Sequence, residues 1–254
     1  MILDLFKLDG KVALVTGAGQ GLGQGMAIAL AEAGADIASL DRIGCEGTCE
    51  SVCALGRRYY ESMVDLRQAS VADLNLVVDR IVKELGHIDI LVNNAGTIRR
   101  TPAINFSETD WDDVLQINLK AAFFLSQAVG RVMLSRQSGK IINIASMLSF
   151  QGGINVPSYT AAKSGLAGIT RALANEWAKH GINVNAIAPG YMATDNTAAL
   201  RADPIRSKSI LERIPAGRWG VPDDLKGAVV FLASSASDYM HGAILPVDGG
   251  WLTR

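Results

Sequence analysis

Seven short apolar segments recur along the chain, and stretches of helical periodicity separate them. In the clearest of them, KVALVTG, KIINIAS and INVNAIAPG, Val, Ile, Leu and Ala predominate. Such near-continuous apolar strands are buried on both faces, which is typical of a parallel sheet covered by helices. Strand–helix alternation supplies the crossovers that parallel strands require. The sequence therefore predicts an α/β fold, a doubly wound parallel sheet of about seven strands with helices on both faces.

The pattern also gives approximate boundaries for these elements. Strands are predicted at 11–17, 35–41, 59–65, 88–96, 140–146, 182–190 and 243–250, and helices at 21–33 and near 70–85, 108–135, 157–180 and 222–235. No linker or repeat interrupts them, so residues 1–254 are interpreted as a single domain. The polar stretch at about 192–215 is long for a connection between a strand and a helix, and it predicts a lid-like insertion.

Composition excludes several classes of protein. The 24 Lys and Arg nearly balance the 25 Asp and Glu, so the net charge of -1 gives no electrostatic footprint for nucleic acid or an anionic membrane. No apolar run approaches the roughly 18 residues that a membrane span needs, and the first ten residues contain Asp4, Lys7 and Asp9 instead of the apolar centre of a signal peptide. We therefore expect a cytoplasmic protein.

Three cysteines, Cys45, Cys49 and Cys53, follow one another at a spacing of four residues. This spacing places them on one face of a helix. An odd number without a second cluster argues against a disulfide framework, and a zinc site normally adds a second pair of ligands. We interpret them as small core-facing residues in a reducing compartment, and we predict no metal site.

The segment TGAGQGLG, at 16–23, leaves the first predicted strand and enters the first predicted helix. Glycines allow a tight turn there and let the backbone approach a pyrophosphate, while the helix N-terminus offers free N–H groups and a positive dipole end. In this position the motif predicts dinucleotide binding on a Rossmann-type sheet.

Asp41 ends the second predicted strand, and a carboxylate there accepts hydrogen bonds from the adenosine ribose of NAD. The same carboxylate repels the 2′-phosphate of NADP. Arg42 argues the other way, because an arginine can hold that phosphate. The balance predicts NAD as the cofactor, with NADP as the less favoured alternative.

Four polar residues complete a candidate catalytic set. Tyr159 and Lys163 are one helical turn apart in SYTAAKSG, Ser146 ends a predicted strand, and Asn118 lies in the preceding helix. Each residue alone has an ordinary structural explanation. Strand ends form the ligand-binding edge of an open α/β sheet, so their combination with the glycine-rich turn predicts catalysis.

These motifs, with NNAG at 93–96 and Pro189-Gly190, resemble the short-chain dehydrogenase/reductase family over essentially the whole chain. The resemblance implies an NAD-dependent dehydrogenase that moves a hydride between nicotinamide and a secondary alcohol or ketone. It implies that Tyr159 is the general acid/base, and that Lys163 binds the nicotinamide ribose and lowers the pKa of the tyrosine. It also implies that Ser146 holds the substrate oxygen and that Asn118 supports a water relay.

The resemblance further implies which residues contact the dinucleotide. They are Gly17, Gly19, Gln20, Gly21, Leu22, Gly23, Asp41, Asp65, Leu66, Asn93, Ala95, Gly96, Tyr159, Lys163, Pro189, Gly190, Met192 and Thr194. Of these, Asp65 is expected beside the adenine, Asn93 to Gly96 along the adenosine, and the segment from Pro189 to Thr194 over the nicotinamide.

The segments that flank the motifs resemble the sugar-acid dehydrogenases of this family, which implies a deoxy sugar acid from the breakdown of pectin-type uronates. Such a substrate needs a partner for its carboxylate, and arginine forks match carboxylates. Arg99 and Arg100 follow a predicted strand at the ligand-binding edge and are the candidates, with Gln151 and Tyr191 as partners for hydroxyl groups.

Three other functions remain open on the sequence alone. They are another sugar or polyol dehydrogenase, a 3-oxoacyl-carrier-protein reductase, and a nucleotide-binding regulator without turnover. Asp41 disfavours the reductase, which would use NADP, and the intact set of Ser146, Tyr159 and Lys163 argues against the regulator. The family resemblance also implies a homotetramer built on the helices near 108–135 and 157–180 and on the last strand.

Overall fold

A computed structural model describes all 254 residues. The strands are β1 Val12–Thr16, β2 Asp36–Asp41, β3 Tyr59–Met63, β4 Ile90–Asn93, β5 Gly139–Ile144, β6 Ile182–Pro189 and β7 Ile244–Val247. The helices are α1 Gly21–Glu32, α2 Glu46–Ala54, α3 Val71–Leu85, α4 Glu108–Leu115, α5 Ala122–Arg136, α6 Pro157–Trp177, α7 Ala198–Ala202, α8 Pro204–Leu211 and α9 Lys226–Ala233. All seven strands join one parallel sheet in the order β3-β2-β1-β4-β5-β6-β7.

Alternate residues of β1 show why its sequence is apolar throughout. Val12 and Leu14 pack into a core with α3, α5 and α6, whereas Ala13 and Val15 pack on the other face with α1 and α9. Both faces of the sheet are therefore buried, and the predicted fold class is confirmed. The order of the strands reverses between β1 and β4, and this is the switch point at which open α/β sheets bind ligands.

Two regions differ from the predicted elements. The sequence pattern at 108–135 predicts one helix, but a π-helical turn at Gln116–Ala121 separates α4 from α5. The insertion at 192–215 carries the short helices α7 and α8, which its polar composition did not indicate. Its movement as a lid stays a prediction.

The three cysteines differ in their exposure. Cys45, just before α2, is 1% exposed, as expected of a core residue. Cys49 is only half-buried and Cys53 is exposed. The interpretation as core-facing residues is therefore right for Cys45 and wrong for the other two, because the outer face of α2 covers no further layer of the protein.

No helix of the structure combines the length and the apolar character that crossing a bilayer requires.

Candidate active site

A cavity of about 670 Å³ opens at the carboxyl end of the sheet, at the switch point between β1 and β4. Most of the residues predicted to contact a dinucleotide line it. These are Gly17, Gln20, Gly21, Leu22, Gly23, Asp41, Asp65, Leu66, Ala95, Gly96, Tyr159, Lys163, Pro189, Gly190, Met192 and Thr194. Ser146 and Arg99 line the same cavity. The chain thus brings the glycine-rich turn and three of the predicted catalytic residues, Ser146, Tyr159 and Lys163, into one site, whereas Asn118 and Arg100 are not among the residues that line it.

The turn after β1 and the first turn of α1 approach each other so closely that Gly17 and Gly23 must both be glycine. Gly17 has φ +67°, which other residues rarely adopt, and a Cβ on Gly23 would lie 1.9 Å from the carbonyl oxygen of Gly17. The Asn94 side-chain amide donates to the carbonyls of Thr16 at 2.9 Å and Gly17 at 3.1 Å and holds the turn in place. The first N–H groups of α1 therefore remain free for a pyrophosphate, so this cradle fits a dinucleotide.

Asp41 lies at the far end of the cavity, where an adenosine ribose would bind. Its Oδ2 accepts from the N–H of Gly19 at 2.9 Å, and its Oδ1 accepts from the N–H of Arg42 at 2.7 Å. Gly19 therefore supports the carboxylate and is not itself among the cavity residues. Arg42 also lines the cavity, so the carboxylate that favours NAD and the guanidinium that favours NADP lie at the same site.

Helix α6 brings Tyr159 and Lys163 to the same face, one turn apart. Pro157 lies in the first turn of this helix, where its missing N–H costs no hydrogen bond. The Lys163 Nζ lies 5.5 Å from the centre of the Tyr159 ring and donates to the carbonyl oxygen of Ile144 at 2.7 Å. An ammonium has three N–H donors, so two remain for the hydroxyls of a ribose.

The electrostatics of this pair differ from the expected arrangement. Burial raises the pKa of the Tyr159 phenol, and the Ser146 hydroxyl and the Arg100 guanidinium oppose that rise. Burial lowers the pKa of Lys163 to about 8, so the side chain remains mostly protonated at neutral pH. The pKa of Tyr159 is nevertheless raised in the free protein, because desolvation of the phenol outweighs the groups that lower it, and the lowering of this pKa by Lys163 stays a prediction.

Ser146 and Asn118 complete the set. Ser146 lies just beyond β5, is 7% exposed, and its Oγ accepts from the N–H of Leu148 at 3.1 Å. Asn118, on the π-helical turn, donates to the carbonyls of Thr97 at 2.9 Å and Val114 at 2.8 Å. Its Oδ1 is buried without a hydrogen-bond partner, next to Gly96 of the cavity wall. A buried acceptor of this kind is suited to an ordered water, in keeping with the predicted relay.

Asn93 does not reach the cavity. It is 4% exposed, and its amide donates to Asn143 Oδ1 at 2.9 Å and to Ser126 Oγ at 2.9 Å. Asn94, which the sequence prediction left without its own role, lines the cavity instead. The sequence signal was the pair Asn93-Asn94 at the end of an apolar segment, which indicates that one of the two faces the site. Because side chains alternate along a strand, only the register of the strand decides which one.

The two arginines proposed for a substrate carboxylate have different surroundings. Arg99 is engaged by two carboxylates, Asp110 Oδ1 at 3.0 Å and Asp113 Oδ2 at 3.6 Å. Arg100 has no carboxylate partner, and its Nη2 donates to the carbonyl oxygen of Asn196 in the insertion at 3.0 Å. Arg100 is therefore the one with positive charge left for a ligand.

The predicted hydroxyl partners are held by other side chains. Gln151 Oε1 accepts from Arg213 at 3.3 Å, and the Arg213 guanidinium lies 4.0 Å over the ring of Trp251. Tyr191 packs edge-on against Trp251, with 4.7 Å between the ring centres. Neither Gln151 nor Tyr191 is among the cavity-lining residues, and their contacts with a substrate stay predictions.

Comparison with known proteins identifies the class of the protein. A family model described as enoyl-(acyl carrier protein) reductase matches residues 17–252. The chain belongs to the short-chain dehydrogenase/reductase family and is an oxidoreductase that uses a nicotinamide dinucleotide.

Individual relatives are similar over the whole chain. The 2-dehydro-3-deoxy-D-gluconate 5-dehydrogenase of Escherichia coli is 62% identical over 100% of both chains. The crystal structure of an Agrobacterium tumefaciens protein with bound NADP has a TM-score of 0.92 and 54% identity, covering 99% of this chain and 100% of that one. A gluconate 5-dehydrogenase of Burkholderia cenocepacia, in complex with NADP and tartrate, has a TM-score of 0.95 and 40% identity over 100% of both chains.

Proposed function

We propose that this chain is a dehydrogenase of deoxy sugar acids and oxidises the C5 hydroxyl of 2-dehydro-3-deoxy-D-gluconate to a ketone, or catalyses the reverse reduction. The observation that carries the proposal is the gathering of Ser146, Tyr159 and Lys163 in one cavity of a chain 62% identical to a 2-dehydro-3-deoxy-D-gluconate 5-dehydrogenase. A role in the breakdown of pectin-type uronates and a cytoplasmic location follow as predictions.

Three residues of the cavity and the neighbouring Asn118 divide the reaction between them. A bound nicotinamide ring supplies the hydride acceptor. Ser146 donates a hydrogen bond to the reacting oxygen, and the Tyr159 phenolate accepts the hydroxyl proton. Lys163 orients the cofactor ribose with its two free donors, and the Asn118 Oδ1 holds a water through which the proton reaches solvent. The raised pKa of Tyr159 means that the free protein holds the phenol protonated at neutral pH, so the phenolate needs the positive charge of the oxidised cofactor.

The substrate carboxylate is assigned to Arg100. Arg100 is exposed and is not among the residues that line the cavity, but its guanidinium is free of carboxylates and is close enough to favour the Tyr159 phenolate. A charge-assisted hydrogen bond at this position would distinguish a sugar acid from a neutral polyol. The tartrate in the Burkholderia cenocepacia structure is consistent with an anionic ligand in this branch of the family.

NAD is the proposed physiological cofactor, on the strength of the Asp41 carboxylate. NADP in three related structures favours the other choice, and Arg42 at the cavity wall gives a physical route to it. Comparing kcat/KM for NAD and NADP in the wild type and in Asp41→Ala decides between them. Preference for NAD that is lost in the variant supports the proposal, whereas a higher kcat/KM with NADP in the wild type overturns it.

A homotetramer is the proposed assembly. Trp111 on α4 is 38% exposed, and Gly168 on α6 has open space where a Cβ would stand, so these helices offer surfaces that a second copy can cover. Light scattering coupled to gel filtration measures the assembly directly. A mass of one chain would refute the proposal.

A substrate panel separates the proposed function from its competitors. We expect NADH formation with 2-dehydro-3-deoxy-D-gluconate, and kcat/KM at least tenfold lower with D-gluconate and with neutral polyols. The family model bears the name of an acyl-carrier-protein enzyme, so the reverse assay includes acetoacetyl thioesters. Faster reduction of a thioester than of the sugar acid would favour the reductase. Nucleotide binding without turnover of any compound would favour a regulator.

A further inference from the structure

Helix α2 presents two thiols on its outer surface, one turn apart. The Sγ atoms of Cys49 and Cys53 are 3.9 Å apart. Cys49 is half-buried and Cys53 is exposed, and neither belongs to a core cluster or to the cavity. Cys45 is buried at the start of the helix. Packing therefore accounts for Cys45 but not for the other two.

The helical spacing opposes a disulfide but suits a bridging atom. Cβ atoms four residues apart on a helix are about 5–6 Å from each other, whereas a disulfide needs about 3.5–4.5 Å. Two bonds of about 2.3 Å, the length of a metal–thiolate bond, span about 3.8 Å at a tetrahedral angle and about 3.4 Å at the near-right angle of a pyramidal trivalent atom. The observed 3.9 Å is within about 0.5 Å of both spans, so a small side-chain rotation brings the two sulfurs to one thiophilic atom without distortion of the helix.

The number of available ligands selects the kind of atom. No group of three or more His, Cys, Asp or Glu side chains is arranged to hold a metal ion, and a structural zinc site needs about four ligands. Burial and the neighbouring Cys53 thiol raise the pKa of Cys49, and the carboxylates of Glu61 and Glu50 add to this. A divalent cation would have to displace the thiol protons at a cost. A trivalent arsenic that carries one organic substituent needs only two thiols and consumes their protons.

We propose that Cys49 and Cys53 form a dithiol site for monosubstituted trivalent arsenicals. With an arsenoxide, the two S–H bonds and the arsenic–oxygen double bond break, and two arsenic–sulfur bonds form. The oxygen leaves as one water molecule that carries both thiol protons. Arsenic remains trivalent and neither sulfur is oxidised, so the reaction needs no oxidant or reductant.

Phenylarsine oxide is the probe that tests this site. The full-length protein is incubated with a small excess of it, passed through gel filtration in the presence of a monothiol, and analysed by intact-protein mass spectrometry. We expect one adduct per chain, with the mass of the probe less one water. It should survive the monothiol and be removed by a small dithiol, because only a chelating competitor matches two sulfurs.

Matched cysteine variants locate the adduct. We expect Cys49→Ser and Cys53→Ser each to lower its occupancy at least tenfold, and Cys45→Ser to retain it. Thermal melting of each variant checks the fold, and titration with a thiol reagent counts the free thiols. An adduct that persists in either of the first two variants, one that is lost in Cys45→Ser, or no adduct on wild-type protein with its thiols free would overturn the proposal.

Discussion

A lysine ammonium lies at each end of strand β5, that of Lys140 from the strand itself and that of Lys163 from α6, and the two have different partners. At the amino end, the Lys140 Nζ pairs with Asp238 Oδ1 at 2.6 Å, and 13% of the side chain is exposed. At the carboxyl end, Lys163 is 3% exposed and donates only to the carbonyl oxygen of Ile144. Burial lowers the pKa of both lysines, but Asp238 opposes this for Lys140, whereas nothing opposes it for Lys163.

The two ends of the sheet therefore differ in whether their buried charges are paired within the protein. At the amino end, a carboxylate of the protein itself, that of Asp238, neutralises the charge of Lys140. The carboxyl end leaves the Lys163 and Arg100 cations without a countercharge in the free protein. Lys163 and the neutral Tyr159 phenol have perturbed pKa values of the kind that gather at functional sites. We infer that the ligands complete the electrostatics of this end.

Tyr159→Phe is expected to have the largest effect. Loss of the hydroxyl removes the proposed general acid/base, so kcat should fall about 10³-fold. The dissociation constant of the dinucleotide, measured by fluorescence titration, should change less than about threefold, since hydride transfer is what requires the proton acceptor. Near-normal turnover would remove Tyr159 from the mechanism.

Replacing each lysine in turn tests the comparison directly. Lys163→Met is expected to lower kcat/KM about 10²-fold, because a preorganised donor to the cofactor is lost. Lys140→Met should leave kcat/KM within about twofold, since it lies at the opposite end of the strand. Steady-state kinetics of both variants under one set of conditions measures this. Similar losses of kcat/KM in the two variants would contradict the conclusion that only the carboxyl end of β5 takes part in catalysis.

We also expect the free energy of unfolding to depend on pH in a way that the same two variants can measure. The folded pKa of Lys163 is about 8, below its ordinary 10.5, so its buried ammonium destabilises the fold below pH 8, and this penalty disappears as the pH rises toward 10.5. Lys163→Met should therefore raise the free energy of unfolding at pH 7 by up to about 3 kcal/mol, with a smaller gain at pH 10.

Denaturant melts at both pH values, with Lys140→Met as control, measure this gain. The control should change stability by less than about 1 kcal/mol, because Asp238 is mostly exposed and solvated once it loses its partner. A stabilisation by Lys163→Met that does not vary with pH would show that desolvation of the ammonium is not its cause.

The smallest expected effect separates the two arginines. Arg100→Gln should raise KM for the sugar acid about tenfold, since it removes a charge-assisted hydrogen bond. Arg99→Gln should change KM less than about threefold, because Arg99 is already neutralised by Asp110 and Asp113. A larger rise in KM for Arg99→Gln than for Arg100→Gln would instead indicate that Arg99 binds the substrate carboxylate.

Sequence reasoning predicted most of the fold and the grouping of Ser146, Tyr159 and Lys163 in one cavity because both depend on local patterns. Apolar segments fixed the seven strands to within a few residues, and the glycine-rich turn lies where its pattern predicted. Tyr159 and Lys163 meet because four residues make about one turn of a helix.

What the sequence could not predict depends on contacts between distant segments. Arg99 and Arg100 are adjacent and look equivalent, yet only the packing of α4 brings carboxylates to the first. Asn93 and Asn94 differ in the same way, since the register of β4 turns one into the core. The desolvation of Lys163 is likewise invisible in the sequence, because it depends on the strands and helices that surround the ammonium.

The electrostatics of Tyr159 are measured by an ultraviolet difference titration, wild type minus Tyr159→Phe, with and without NAD. We expect a midpoint above the ordinary value of 10 in the free protein, because the phenol is buried, and a midpoint below 10 once NAD is bound. A midpoint that is the same in both states, or below 10 in the free protein, would contradict this expectation.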